Sequence, residues 1–431
     1  MNIVKFPERN KWKALTERPV LSYRELDDIV VPVLQKVKQE GDSALKEFTL
    51  KFDKVQLEEI QVSEAEIKAA GDALDNNLKQ AINTAYQNIK KFHEAQKEVF
   101  LPVETFPGVT CWRKSVGIQR VGLYIPGGTA PLFSTVLMLG TPAKIAGCEE
   151  LYLCSPPTTG GTIHPAIIYT AALLGVDKIF KTGGAQAIAA LAYGTETVPK
   201  VDKIFGPGNQ FVTVAKQLVN REGTAIDMPA GPSEVAVLAD DTGVPEFIAA
   251  DLLSQAEHGA DSQVFFVSDS EEMLHKVLRE VQVQLEKLPR KEMAEKSIAN
   301  SKFIQVKSIA EGIELINEYA PEHLILQVRD FEAVGEKVKN AGSVFLGNYT
   351  PEAAGDYASG TNHTLPTNGF ARAYSGVSLD SFIRKITYQK ITREGLQNLG
   401  PVIETMAAAE HLDAHKNAVS VRLKQDVRSQ R

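Results

Sequence analysis

Residues 178–193 read KIFKTGGAQAIAALAY. A short β-rich run, Lys178–Lys181, ends in the turn Thr182-Gly183-Gly184, and the small apolar residues Ala185–Tyr193 follow with helical character. The same order recurs on both sides. Strands read at Val121–Ile125, Glu150–Cys154 and Lys203–Phe205, and helices at Thr135–Ala146 and His164–Leu174. Such alternation implies a parallel sheet covered by helices on both faces.

A second alternating series begins near Glu234. Its strands read at Ser233–Leu238, Gln263–Val267, Phe303–Val306, Leu324–Val328 and Ser343–Leu346. Its helices read at Pro245–Glu257, Glu271–Leu288, Ile309–Tyr319 and Glu332–Asn340. The fold class is therefore α/β, with two Rossmann-like domains built on parallel sheets, a small N-terminal arm and a helical C-terminal segment. The expected boundaries are 1–20 for the arm, 21–116 with 236–380 for a discontinuous α/β domain, 117–235 for an inserted one, and 381–431 for the C-terminal segment. Residues 21–100 read as mainly helical. Ser63-Glu64-Ala65-Glu66 has the form of a capping box and opens one long helix through Ile67, Leu74, Ile82 and Ile89. Residues 347–376 read as loop, and the chain from Ser381 reads as helix ending in a charged tail.

The chain's 431 residues suggest about two to four domains. With 43% hydrophobic and 23% charged residues, a large core is feasible and global disorder is disfavoured. A net charge of -7 argues against a dedicated nucleic-acid binder. Cys111, Cys148 and Cys154 are too few for a disulfide scaffold, contain no CxxC pair and sit outside glycine-rich loops, so they read as structural. No secretory h-region and no apolar stretch of membrane-spanning length is seen. The expectation is a soluble cytoplasmic protein without a membrane partner.

Three glycine clusters follow strands: Tyr124-Ile125-Pro126-Gly127-Gly128, Thr182-Gly183-Gly184-Ala185-Gln186 and Phe205-Gly206-Pro207-Gly208-Asn209-Gln210. Each can cradle an anion such as a pyrophosphate on backbone N–H groups at a helix start. None is a GxGxxG, and each alone also reads as plain turn chemistry. The Gly/Pro-rich segment Ile226–Glu234 either presents Ser233 to a ligand or links the two units.

Among the eight histidines, His93 and His275 lie in charged helical stretches and read as solvated, and His164 reads as a cap or packing residue. Gln255 and His258, at i and i+3, share a helix face before Gly259. Such a pair alone is commonly surface decoration. Asp356 and His363 share a glycine-rich loop, and His415 lies in Asp413-Ala414-His415-Lys416-Asn417. Two histidines, one aspartate and an amide oxygen would suit Zn²⁺. Glu322 and His323, adjacent at a strand start, supply two proton-transfer groups able to work near neutrality, or simply form a solvated turn.

Taken together, Gln255-x-x-His258, Pro321-Glu322-His323, Gly355-Asp356-Tyr357, Gly360-Thr361-Asn362-His363, Asp413–Val419 and the Ile226–Glu234 segment resemble histidinol dehydrogenase from about residue 20 to residue 425. The resemblance implies zinc- and NAD⁺-dependent oxidation of L-histidinol through histidinal to L-histidine, the final steps of histidine biosynthesis. It implies Gln255, His258, Asp356 and His415 as zinc ligands, and Glu322 and His323 as the proton-transfer pair. Ser233, Glu410, His323 and the zinc ligands would contact substrate, with His363 a further candidate. Tyr124, Gln186 and Asn209 would contact NAD⁺ in the inserted domain. It also implies a homodimer in which the C-terminal segment, carrying Glu410 and His415, reaches the partner's site. Two other classes fit parts of the pattern. A zinc hydrolase or lyase would turn over without NAD⁺, and a binding protein would bind ligand without reaction.

Overall fold

The computed structural model describes residues 3–18, 23–127, 130–228 and 231–424. Gly128, Pro229, Ala230 and the charged tail beyond 424 lie outside the described residues. The chain divides into two compact units, residues 1–96 with 118–382 and residues 97–117 with 383–431.

The larger unit holds both parallel sheets. The first has five strands in the order Lys178–Lys181, Glu150–Ser155, Arg120–Tyr124, Lys203–Phe205 and Ala225–Ile226. Alternate side chains of a strand enter opposite faces. Val121, Leu123, Leu151 and Leu153 thus join one buried cluster, while Tyr124, Tyr152, Cys154 and Phe180 join another. The helices of residues 23–94, grouped by the sequence reading with residues 236–380, bury their apolar faces on this sheet. Leu26, Val30 and Leu34 lie in one of its clusters, and Ile82, Ala85 and Ile89 in the other.

The second sheet has six strands in the order Ile3–Lys5, Lys302–Gln305, Gln263–Ser268, Glu234–Ala239, His323–Gln327 and Ser343–Leu346, all parallel. Its faces divide in the same way, with Val235 and Val237 on one side and Ala236 and Leu238 on the other. The expected N-terminal arm is therefore more than an arm. Ile3–Lys5 forms an edge strand, and Arg9–Leu15 is a helix whose Trp12 is buried in the core.

Several other expectations are corrected. The Ser63 capping box is present, with reciprocal bonds to Glu66, but the helix it opens stops at Ala73. Leu74 is extended, and Asp75 caps a second helix, Asn76–Glu94. His93 is not solvated. It is fully buried, with Nδ1 2.8 Å from the Ile89 carbonyl. The expected helix Glu332–Asn340 is the short Phe331–Gly335. The expected loop 347–376 contains the helix Glu352–Tyr357.

The smaller unit was misread as helical at its start. Ile383–Ile391, Val109–Gly117 and Val103–Phe106 form an antiparallel sheet in that order, with Trp112 stacked on Tyr388 at 5.4 Å. Helices Arg393–Ala409 and Asp413–Lys424 follow as expected.

Candidate active site

The two sheets present opposite edges to the site. In the five-stranded sheet it lies at the carboxyl ends of the strands, as in open α/β folds generally. Tyr124, Pro126, Gly127, Ser155, Gly184 and Asn209 line a cleft of about 410 Å³ there. The turn after Phe205 requires glycine. Gly206 has φ +139°, and a Cβ would strike the Tyr124 carbonyl. Its N–H donates to the buried Asp227 carboxylate, itself paired with Lys216. The Tyr124 hydroxyl accepts from Gly184 N–H at 3.1 Å, and burial pushes the phenol up to about 12, so it keeps its proton. Asn209 caps the helix Gln210–Arg221 through its side-chain oxygen. Gln186 is buried in the first turn of its helix and is not among the cleft's lining residues.

In the six-stranded sheet the site lies at the opposite, amino ends of the strands. Glu322 precedes the strand His323–Gln327, whose His323 is in register with Val235 of the central strand. The helix Pro245–Ala256 runs back to that edge and delivers Gln255 and His258, with Glu257 rather than Gly259 as its cap. The helix Glu352–Tyr357 brings Glu352 and Asp356, at i and i+4, to one face. Gln255, His258, Glu322, His323 and Asp356, with Ser233 and His363, line a second cavity of about 330 Å³, and Glu352 reaches it only through its contact with His323. Pro126 and Asn209 line both cavities, so the cleft and the chamber share a wall.

Glu322 and His323 reach the same space although neighbours on a strand usually diverge. The bend falls at the strand's first residue. Glu322 Oε2 accepts from Glu234 N–H at 2.9 Å, and His323 Nδ1 lies 3.2 Å from the Glu234 carbonyl. One backbone unit thus holds both side chains. His323 Nε2 has no hydrogen-bond partner and is 3.6 Å from Asp356 Oδ1. Burial pushes Glu322 up to about 7. Burial would lower His323, but Glu322, Glu352 and Asp356 outweigh it and hold the imidazole up at about 10.

Both amide atoms of Gln255 are buried without a hydrogen-bond partner. His258 lines the chamber, and desolvation by the surrounding protein lowers its proton affinity, which leaves a lone pair to give. Asp356 stays ionised against burial through its contact with His323. An amide oxygen, a neutral imidazole and a carboxylate facing one chamber fit a divalent cation of the zinc type. Among the described residues no group of three or more His, Cys, Asp or Glu is placed to hold a metal, so within this chain the set consists of His258, Asp356 and the Gln255 amide. His415 and Glu410 do not line the chamber. They belong to the smaller unit, exposed, with Glu410 capping the helix Arg393–Ala409 and His415 in the first turn of the next.

His363 is held by two contacts, Nδ1 to the Asp356 carbonyl at 2.8 Å and Nε2 to Thr135 Oγ1 at 3.0 Å. Sequence reasoning missed Glu352, whose buried Oε1 has no hydrogen-bond partner and lies 3.5 Å from His323 Nδ1. The signal was available: Pro351 before Glu352-Ala353-Ala354 is a helix start. It also gave no role to Glu234, which takes a bidentate pair from Arg18, both distances 2.7 Å.

The histidinol dehydrogenase family model matches residues 16–423. The chain is 61% identical to a histidinol dehydrogenase of Bacteroides thetaiotaomicron over 423 residues, 98% of this chain and 99% of that one. It is 59% identical to one of Bacteroides fragilis, covering 99% of both. Its fold superposes on the crystal structure of histidinol dehydrogenase from Elizabethkingia anophelis with a TM-score of 0.96, 57% identity and 98% coverage of each chain.

Proposed function

This chain belongs to the histidinol dehydrogenase family, oxidoreductases of histidine biosynthesis, and from that premise we propose that it oxidises L-histidinol through histidinal to L-histidine with zinc bound and two NAD⁺ reduced. The supporting observation is the shared wall. A proton-transfer pair and a cation-type donor set face one chamber, and Pro126 and Asn209 join that chamber to a cleft at the strand ends.

His323 works through Nε2. The Glu234 carbonyl occupies Nδ1, so Nε2 is the atom left to take the alcohol proton. Glu322, anchored by Glu234 N–H and titrating near neutrality, takes a proton from the water that adds to the aldehyde. His323 then takes the hydrate proton in the second oxidation. Ser233 and His363 orient the substrate. Gln255, His258 and Asp356 would hold the zinc, with Glu410 and His415 supplied from the other copy of a homodimer. Bound there, zinc would supply positive charge that offsets Asp356, eases deprotonation of His323 and anchors an imidazole and amine substrate. NAD⁺ in the cleft, against Tyr124 and Asn209, would supply the hydride acceptor.

The test is to count NADH formed per L-histidinol consumed by EDTA-stripped protein before and after Zn²⁺ is added. About two NADH per substrate, only with zinc, is the expected result. Folded, zinc-loaded protein that makes no NADH would overturn the reading.

A further inference from the structure

Asp53 ends a five-residue π-helical turn, Thr49–Asp53, after which Lys54 takes the left-handed conformation at φ 61°. π turns are rare and concentrate at functional sites. This one sets Asp53 in the wall of the strand-end cleft, beside Tyr124, Ser155, His164 and Asn209. Asp53 Oδ2 is shielded from water and has no hydrogen-bond partner. Burial pushes the carboxyl up to about 6. Among the described lining residues there is no lysine or arginine. The cleft therefore carries one acid whose buried oxygen lacks a partner, with neither lysine nor arginine to pair it, an arrangement that favours a ligand able to donate to it.

A carboxylate accepts hydrogen bonds from hydroxyls and repels phosphate. The part of a dinucleotide beside Asp53 is fixed by the shared wall. The reacting nicotinamide must approach Pro126 and Asn209, which border the chamber, whereas Asp53 borders the cleft alone. We propose that Asp53 accepts hydrogen bonds from the adenosine ribose of NAD⁺ and excludes NADP⁺ by repelling its 2′-phosphate. This rests on the NAD⁺ reading above. Elsewhere in α/β folds an acid at the end of a different strand takes the same hydroxyl; here it arrives from a turn outside the sheet.

Calorimetry on the full chain tests this with NAD⁺, NADP⁺ and 2′-deoxy-NAD⁺. The wild type should bind NAD⁺ at least about 10-fold more tightly than either analogue, the scale of one hydrogen bond to a charged group. Asp53→Ala and Asp53→Val should bind NAD⁺ and 2′-deoxy-NAD⁺ alike and narrow the NADP⁺ gap by about 10-fold. A variant that keeps the wild-type preferences would overturn the assignment of Asp53. Should neither variant fold, equal affinity of the wild type for NAD⁺ and its 2′-deoxy analogue overturns it instead. Failure of the NAD⁺ reading looks different: the wild type itself binds no NAD⁺ and forms no NADH.

Discussion

Asp251 carries a conflict that its neighbours only partly relieve. It is buried in the helix Pro245–Ala256, where the Glu352 backbone and Gln327 Nε2, the latter at 3.5 Å, stand beside its carboxylate. Burial pushes its carboxyl up to about 6. The folded chain then binds more protons at this position than the unfolded one between pH 4 and 6, so stability falls as pH rises through that window and stays lower above it. Asp251→Asn should raise stability at pH 8 by on the order of 2 kcal/mol and give little gain near pH 4.5. Urea unfolding at the two pH values checks this; a gain equal at both would remove the titration argument. The residue scale is also where sequence reading was weakest. His93 looked solvated because Lys90, Lys91 and Glu94 surround it in the chain, yet its own helix position points inward, two turns of apolar residues below it. Glu352 was passed over because the stretch from Gly347 read as loop, although Pro351 marks a helix start whose i and i+4 positions are Glu352 and Asp356.

Elements were legible where their period was strong. The strands of both series emerged within a residue or two of their observed bounds, because buried parallel strands are unbroken apolar runs, whereas helix ends drifted further, Leu288 against Leu285 and Asn340 against Gly335. The misread segment was Ile383–Ile391, whose alternation with Arg384, Lys385 and Lys390 is weak and whose partners, Val109–Gly117, lie far away in the chain. Strand pairing of that range is not written in local sequence. A sharper consequence belongs to the strand Ser343–Leu346. Ser343 N–H donates to the Glu322 carbonyl at 2.9 Å, and a Cβ on Gly342 would sit 2.5 Å from that same oxygen. Gly342→Ala should therefore push the Glu322 backbone out of place and slow turnover by about 10-fold or more, since small misplacements of catalytic groups are costly. Steady-state kinetics alongside a thermal melt decide it. Undiminished turnover in a well-folded variant would mean that the strand can shift freely.

At the scale of the whole molecule, the proposed homodimer makes a quantitative claim. If each chamber takes His258 from one chain and His415 from the other, His258→Asn and His415→Asn chains are each inactive alone. In a mixed dimer one chamber has lost both ligands and the other keeps both. Equal, randomly reassociated mixtures should recover about a quarter of wild-type activity, by the arithmetic of a two-fold assembly. No recovery from dimers shown to have exchanged would place His415 in its own chain's site. The sequence alone offered the resemblance for this idea and nothing physical, because residues near 415 lie in an exposed helix with an ordinary polar pattern.

The opposed edges of the two sheets also give the molecule an electrical direction. Helices begin at His164, Gly184 and Asn209 along the cleft and beside Ser134 in the chamber, whereas the helix Pro245–Ala256 ends in the chamber at Gln255. Backbone dipoles leave partial positive charge at such beginnings and negative charge at that ending. A hydride carries negative charge, and under the proposed reaction it travels from chamber to cleft. The helix starts along the cleft therefore favour the side on which that charge arrives.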